Sequence, residues 1–248
     1  MTVQEMHYDF KFKFDKVDSL DKPNFTPAEI DWILNEAQNL VLKTKYSGNN
    51  AQRTGFEVSQ KRIDDLKTLH IKSPTQQQPG LVPVQSVGDL YEVKLSGLAF
   101  PYFVLTRGRA LVTKDGCGSK VISLESTQTD DLNDVEGSPF SKPSYQWGEL
   151  PITFGRSDSA ANDDGSIYFD TQGEFTVDEV YLDYLKLPSK IYLGTYTYID
   201  GTTPVQSACE LPEAVHSEVV DRAVAEVSRI VEDARFVQFR TDKLNFNE

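Results

Sequence analysis

The chain has 248 residues, 39% of them hydrophobic and 25% charged, a composition that favours a packed core over extensive disorder. Its net charge is −13 with histidine counted as neutral, which argues against a protein that grips nucleic acid over its whole surface, because phosphate binding depends on cations. Two cysteines are too few for a disulfide framework, and no segment is long or apolar enough to cross a bilayer. We therefore expect a soluble protein made in a reducing cytoplasm.

The first 25 residues are predicted to form an N-terminal arm that contains a strand. Aromatic side chains occupy every second position of HYDFKFKF, residues 7–14, and a period of two is typical of a half-buried β-strand. Such a strand would lie at the edge of the chain's own sheet or pair with the sheet edge of another chain.

Two amphipathic helices are predicted within residues 26–72. The first begins at a capping box, with Thr26 as the N-cap, Pro27 at the first helical position and Glu29 two residues further on. The second is expected from Thr54 to about Leu69. Its inward side chains would be Phe56, Ile63, Leu66 and Leu69.

The residues between 73 and 206 predict an inserted β-rich lobe. Residues 73–88 contain three prolines and no charge, which indicates a linker that leaves the helices. Strand-like segments then follow, separated by glycine-containing turns. The last two, EFTVDEVYLDYLKLP and KIYLGTYTYID, are predicted to form a hairpin that turns at residues 188–190. The earlier ones are YEVKLSG, YFVLT, ALVTK, KVISLES and SIYFD.

The longest amphipathic segment covers residues 209–236 and predicts a helix, which we assign to a helical region at 207–235. Pro212 suits its first position, and valine or alanine recurs at spacings of three and four from Val215 onward. Valine is a mediocre helix former, so this helix needs cover from other helices or from neighbouring subunits. A polar tail, residues 236–248, follows it.

This order of elements predicts an α+β fold. The two N-terminal helices and the long C-terminal helix can bury their apolar stripes only against each other, so we expect a helical bundle. The antiparallel β lobe is then inserted between its second and third helices.

No combination of residues indicates catalysis, a cofactor or a metal site. The three histidines, His7, His70 and His216, lie far apart in sequence, and DGCGSK at residues 115–120 is assigned to a β-turn rather than a phosphate loop. AANDDG at residues 160–165 lacks the first acid of a calcium loop. We therefore expect no enzymatic activity.

One local group of cations stands out in the acidic chain. It would either touch DNA or an acidic partner, or form the solvated face of a hairpin. Its members are Arg107, Arg109, Lys114 and Lys120.

Residues 178–235 carry the strongest family signal. Tyrosine-rich strands and a Lys-x-Pro turn lead to CELPEAVH and then to EVVDRAV. This stretch resembles the C-terminal part of ring, or collar, proteins of crAss-like bacteriophages, which are akin to head–tail adaptor or gatekeeper proteins. The N-terminal helix pair fits the same helical adaptor plan.

The resemblance implies a non-enzymatic virion protein assembled in the host cytoplasm. It implies a homo-oligomeric ring, usually twelvefold, that stacks below the portal protein beside other tail ring proteins, docks the tail and lines the channel used for genome ejection. An acidic lumen would let DNA pass without specific binding. The long helix and the tail are expected to carry subunit contacts. The candidate interface residues are Leu211, Pro212, Val215, Val219, Val227, Phe236 and Phe239.

Two other roles stay open at this point. The chain could be another tail component, such as a tail-tube or head-fibre protein. It could also be a carbohydrate-binding β module in which exposed aromatics, among them Trp147, Tyr196 and Tyr198, stack on sugars.

Overall fold

A computed structural model describes residues 1–15, 24–47, 56–76, 78–86, 88–156, 165–198 and 201–230. The chain divides into two compact units. The helical unit comprises Met1–Leu69 and Pro188–Glu248, and the sheet unit comprises His70–Leu187. The sheet unit is thus a continuous insertion, with limits at residues 70 and 187 where the sequence suggested 73 and 206.

Five α-helices lie within the described residues. Four belong to the helical unit, and the short fourth helix lies in the sheet unit. They are α1 (Val3–Asp15), α2 (Pro27–Ser47), α3 (Phe56–Leu66), α4 (Leu132–Gly137) and α5 (Glu213–Ile230).

The predicted N-terminal strand is wrong, because residues 7–14 lie within helix α1. Phe10 and Phe14 are four residues apart, a spacing that fits one face of a strand as well as one face of a helix. Val3 and Met6 lie on the same helical face, and all four side chains are buried. The N-terminus is also capped, since the backbone N–H of Thr2 donates to Glu5 Oε2 at 2.7 Å. This second capping box is the local signal that distinguishes helix from strand.

Helices α1 and α2 pack on α5 and cover its valine-rich face. The valine and alanine side chains at positions 215, 219, 220, 223, 224 and 227 are all buried. The predicted cap of α2 is confirmed: the backbone N–H of Thr26 donates to Glu29 Oε2 at 2.7 Å. In α3 the predicted inward residue Leu66 is buried, but Ile63 is exposed, so that part of the predicted stripe is wrong.

Lysine ion pairs join the helices of this unit. Lys45 Nζ of α2 lies 2.8 Å from Asp65 Oδ2 of α3 and 2.8 Å from Glu218 Oε2 of α5. Burial alone would lower the pKa of Lys45, but hydrogen bonds to the two carboxylates outweigh it and raise the pKa. Lys13 similarly joins α1 to Asp221 of α5 at 2.9 Å.

The sheet unit is built on eight strands, most of them antiparallel. The spatial order is β1-β8-β4-β5-β6-β7-β3-β2, and β5 and β6 are parallel. The strands are β1 (His70–Ile71), β2 (Val84–Gln85), β3 (Leu90–Lys94), β4 (Tyr102–Lys114), β5 (Gly118–Ser126), β6 (Glu149–Gly155), β7 (Ser166–Asp170) and β8 (Thr176–Lys186).

The strand predictions hold for most of this unit, with three differences. The segments YFVLT and ALVTK form one continuous strand, β4. Its pairing with β8 shifts register at several points, and these irregularities do not interrupt the strand. Strands β1 and β6 were not predicted. The predicted linker at residues 73–88 contributes β2 and a backbone bridge in which the N–H of Leu81 donates to the carbonyl of Val180 at 2.8 Å.

The predicted hairpin at residues 188–190 is also wrong. After β8 the chain joins the helical unit, and Tyr192 pairs only with Ser207, by two backbone hydrogen bonds of 3.0 Å. Side chains of α2 supply hydrogen-bond partners for Ser189, Ile191 and Leu193 of this segment.

The α+β class is confirmed, with N-terminal helices packed on α5 and a large sheet inserted between them in sequence. The sheet encloses its own hydrophobic core, in which Tyr184, Leu150, Ile152 and Ile167 are fully buried. Within the described residues, no helix has the length and apolar character required to span a membrane.

Candidate functional site

A buried carboxylate connects three segments of the helical unit. Asp31 of α2 is only 1% exposed. Its Oδ1 lies 2.7 Å from Nε2 of His7, and its Oδ2 accepts the backbone N–H of Leu193 at 2.9 Å and the hydroxyl of Tyr196 at 2.7 Å. Asp31 therefore ties α1 and the segment 188–198 to α2.

Asn35, one turn further along α2, completes this attachment. Its Oδ1 accepts the N–H of Ile191 at 2.7 Å, and its Nδ2 donates to the carbonyl of the same residue at 2.9 Å. Gln38 then donates to the carbonyl of Ser189 at 3.0 Å. A row of polar side chains on one helix thus binds the backbone of residues 189, 191 and 193 in place of a neighbouring strand.

Tyrosines cluster where this segment meets α2. The rings of Tyr196 and Tyr198 meet edge to face with centroids 5.4 Å apart, and Tyr192 meets Tyr198 at 6.4 Å. Burial, with further contributions from hydrogen bonds to Tyr198 and Asp31, raises the pKa of Tyr196 far above its usual range. Its hydroxyl therefore stays protonated and donates to Asp31.

A groove with a volume of about 520 Å³ lies between α2 and this tyrosine cluster. The indole of Trp32 is 63% exposed on its wall. Tyr192, Tyr198, Lys43 and Lys190 also line the groove, which therefore combines aromatic surface with ammonium groups. We call this feature the Trp32 groove.

A second aromatic surface lies on the outer side of α1. Tyr8 and Phe12, one helical turn apart, are 64% and 67% exposed. Glu5 is exposed one turn before Tyr8. We call these three residues the α1 stripe.

The sheet unit exposes aromatics of its own, in the residues that join α4 to β6. Phe140 is 79% exposed and Trp147 is 67% exposed. Two of the aromatics proposed for sugar stacking, Tyr196 and Tyr198, belong to the helical unit, whereas Trp147 belongs to the sheet unit. The sugar-binding role stays a prediction.

Three of the four grouped cations bind the chain itself. Lys114 Nζ donates to Glu174 Oε1 at 3.0 Å, Lys120 Nζ donates to the carbonyl of Tyr145 at 3.2 Å, and Arg109 donates to the carbonyl of Ser73. Arg107 is exposed. These local contacts favour a structural role for the group.

The predicted interface residues fall into three groups. Leu211, Val215, Val219 and Val227 are buried within the chain, whereas Pro212 is half-buried. Phe236 and Phe239 lie outside the described residues. A subunit contact at any of these positions stays a prediction.

The other motifs singled out by sequence have local structural roles. The predicted turn in DGCGSK is confirmed, because the N–H of Cys117 donates to the carbonyl of Lys114 at 3.0 Å between β4 and β5. His216 Nε2 lies 2.8 Å from the carbonyl of Leu211. Residues 160–164 of AANDDG lie outside the described part of the chain. Within that part, no group of three or more His, Cys, Asp or Glu residues is placed to hold a metal ion.

The two cysteines are expected to differ sharply in reactivity. Burial raises the pKa of Cys209 to about 11, and its thiol donates to Gln38 Oε1 at 3.3 Å, whereas Cys117 is exposed. Because the thiolate is the reactive form, iodoacetamide at pH 8 should modify Cys117 first. Peptide mass spectrometry over time would show this. Equal labelling of both thiols in the folded chain would contradict it, and the urea-unfolded chain is the control.

Sequence reasoning missed both aromatic surfaces as sites. The capping box at Thr2 and Glu5 was the signal for α1, and Trp32 lies off the apolar face of its helix. Nothing local could reveal the other wall of the groove, because its residues lie more than 140 positions away in the sequence.

A comparison with protein families matches residues 1–234 to a family of crAss phages described as phage tail ring protein 3/4. The match covers both structural units and all five helices. No curated protein matches the chain.

Proposed function

The chain belongs to the crAss phage tail ring protein 3/4 family, and we propose on that basis that twelve copies close into a ring of the connector below the portal. As a tail ring protein it is a structural component of the virion, and its family implies that it works as an oligomer with tail partners. The family match over residues 1–234 is the observation that carries this proposal.

We further propose that the ring surrounds the channel through which the genome leaves the head. The net charge of −13 supports this role, because an acidic wall repels phosphate and lets DNA pass without adhering. The channel role is further supported by three cations, because acceptors of the chain itself bind them. They are Arg109, Lys114 and Lys120.

The proposed neighbours along the tail axis are the portal protein and adjacent ring proteins. Pro212, which directly precedes α5, keeps some exposed surface, so we propose a subunit contact at that end of the helix. Phe236 and Phe239 are proposed to contact a neighbouring ring.

Cryo-electron microscopy of the phage particle tests the proposal directly. The expected result is a ring of twelve copies of this chain in the connector, with acidic side chains facing the channel. Mass measurement of the purified chain, alone and with the portal protein, provides an independent count. A chain that stays monomeric in both conditions, or that occupies the capsid shell or a fibre in the particle, would contradict the proposal.

A further inference from the structure

We propose that neighbouring copies in the ring meet through the two aromatic surfaces of the helical unit, with the α1 stripe of one copy seated in the Trp32 groove of the next. This inference rests on the proposed ring and assigns its lateral contact. Both surfaces belong to the same compact unit, so each copy presents them together.

The symmetry of a ring requires two different complementary patches on each copy. In a head-to-tail contact, one patch meets another patch on the next copy, and the arrangement closes if the rotation allows it. The α1 stripe and the Trp32 groove form such a pair, because one is a convex helix face and the other is concave.

Each surface points away from the core of its unit. Tyr8 and Phe12 lie on the side of α1 opposite Met6, Phe10 and Phe14, which are buried. Trp32 likewise lies opposite the buried side chains Leu34 and Ala37 of α2. Contact between two copies therefore needs no opening of the helical unit.

The chemistry of the two surfaces matches. Large aromatics are enriched at the centres of protein interfaces, and the stripe and the groove together expose four of them, with the half-buried Tyr192 as a fifth. The charged side chains exposed along the groove are two cations, Lys43 and Lys190, and one acid, Glu36, so its exposed charge is net positive. Glu5 places an exposed carboxylate, of opposite sign, beside the aromatics of the stripe. Opposite charges at the edge of an aromatic contact set its register.

The size of the groove also fits. Its volume of about 520 Å³ lies in the range of pockets that enclose groups of several rings. Tyr8 and Phe12 project from one helix one turn apart, so both rings can enter a single depression.

Mixing two defective variants tests the assignment. The stripe variant combines Tyr8→Ser with Phe12→Ser, and the groove variant carries Trp32→Glu. All three side chains are mostly exposed, so the fold should be retained, which circular dichroism would verify. Each variant alone should self-associate at least about tenfold more weakly than the wild type in analytical ultracentrifugation.

The equimolar mixture should form one-to-one pairs that do not grow. The stripe variant keeps an intact groove, and the groove variant keeps an intact stripe, so exactly one kind of contact remains possible. Phe140→Ser, which alters an exposed aromatic of the sheet unit, is the matched control and should assemble like the wild type.

Tryptophan fluorescence provides a second readout, because the chain has only Trp32 and Trp147. In a Trp147→Phe chain, the emission of Trp32 should shift to the blue on assembly as water leaves the groove. In a Trp32→Phe chain, the emission of Trp147 should change much less.

Two different failures are distinguishable. If the wild type forms rings but the stripe variant assembles normally, or the mixture gives no pairs, the lateral contact is wrong while the ring survives. If the wild type remains monomeric up to its solubility limit and with the portal protein, the ring itself is contradicted.

Discussion

Replacing Asp31 with alanine is expected to lower the free energy of unfolding of the helical unit by about 3–5 kcal/mol. The substitution removes the acceptor for His7, for the N–H of Leu193 and for the hydroxyl of Tyr196. All three groups would then lack their shared acceptor in an environment where Asp31 itself is buried. Residues 188–198 should separate from α2 first, because Asp31 and Asn35 are their principal attachments.

Native-state hydrogen exchange measures this effect locally. Peptides from α1, α2 and residues 188–198 should exchange much faster in Asp31→Ala, whereas peptides from the sheet unit should change little. Glu36→Ala is the matched control, since it removes an exposed acid from the same helix and should cost less than about 0.5 kcal/mol.

A double-mutant cycle with His7→Ala separates the histidine contact from the others. Removal of both partners should cost less than the sum of the two single changes, because the second substitution removes a group that the first has already left unpaired. A cost below about 1 kcal/mol for Asp31→Ala would show that the carboxylate does not hold this side of the unit together.

Replacing Tyr184 with alanine is expected to destabilise the sheet unit by about 3–5 kcal/mol. Tyr184 is fully buried in β8, and its ring centroid lies 5.9 Å from that of Tyr102. Its hydroxyl donates to the carbonyl of Phe100 at 3.1 Å. The alanine variant would leave a cavity in the core and remove this hydrogen bond.

Tyr184→Phe separates the two contributions. It keeps the ring and removes only the hydroxyl, so it should cost about 1 kcal/mol. Urea denaturation and hydrogen exchange of β4 and β8 would compare the two variants. Equal losses for alanine and phenylalanine would mean that the hydroxyl, rather than the packing of the ring, dominates at this position.

The elements that sequence predicts well are those whose signals are local. The Thr26 cap and the valine spacing of α5 each lie within one or a few helical turns, and the structure has both. The N-terminal strand failed because the pattern of residues 7–14 alone fits either a strand or a helix. Extending the window to Thr2, Val3 and Met6 resolves the ambiguity.

The misplaced hairpin and the missed strand have long-range causes. Residues 188–198 have strand-like composition, but three of them bind side chains of α2, some 156 positions away in the case of Asn35 and Ile191. Strand β6 contains Pro151, which weakens the strand signal, and it pairs in parallel with β5 as well as antiparallel with β7. No local pattern reveals either arrangement.

The candidate site also depends on a long-range arrangement that local sequence patterns do not reveal. One wall of the Trp32 groove lies on α2, a helix that the sequence predicts from its local cap. The opposite wall comes from the segment that was assigned to the sheet, so the groove emerges only once that segment is placed on α2.

The insertion of the sheet unit has an evolutionary consequence. Strand β1, at the start of the unit, pairs with Tyr184 and Leu185 near the end of β8, so the two points at which the polypeptide crosses between units lie side by side. A module whose ends emerge together can be exchanged by recombination as a cassette while the surrounding framework keeps its geometry. Related phages can therefore diversify what this lobe touches without rebuilding the helices that, on our proposal, hold the circle of subunits.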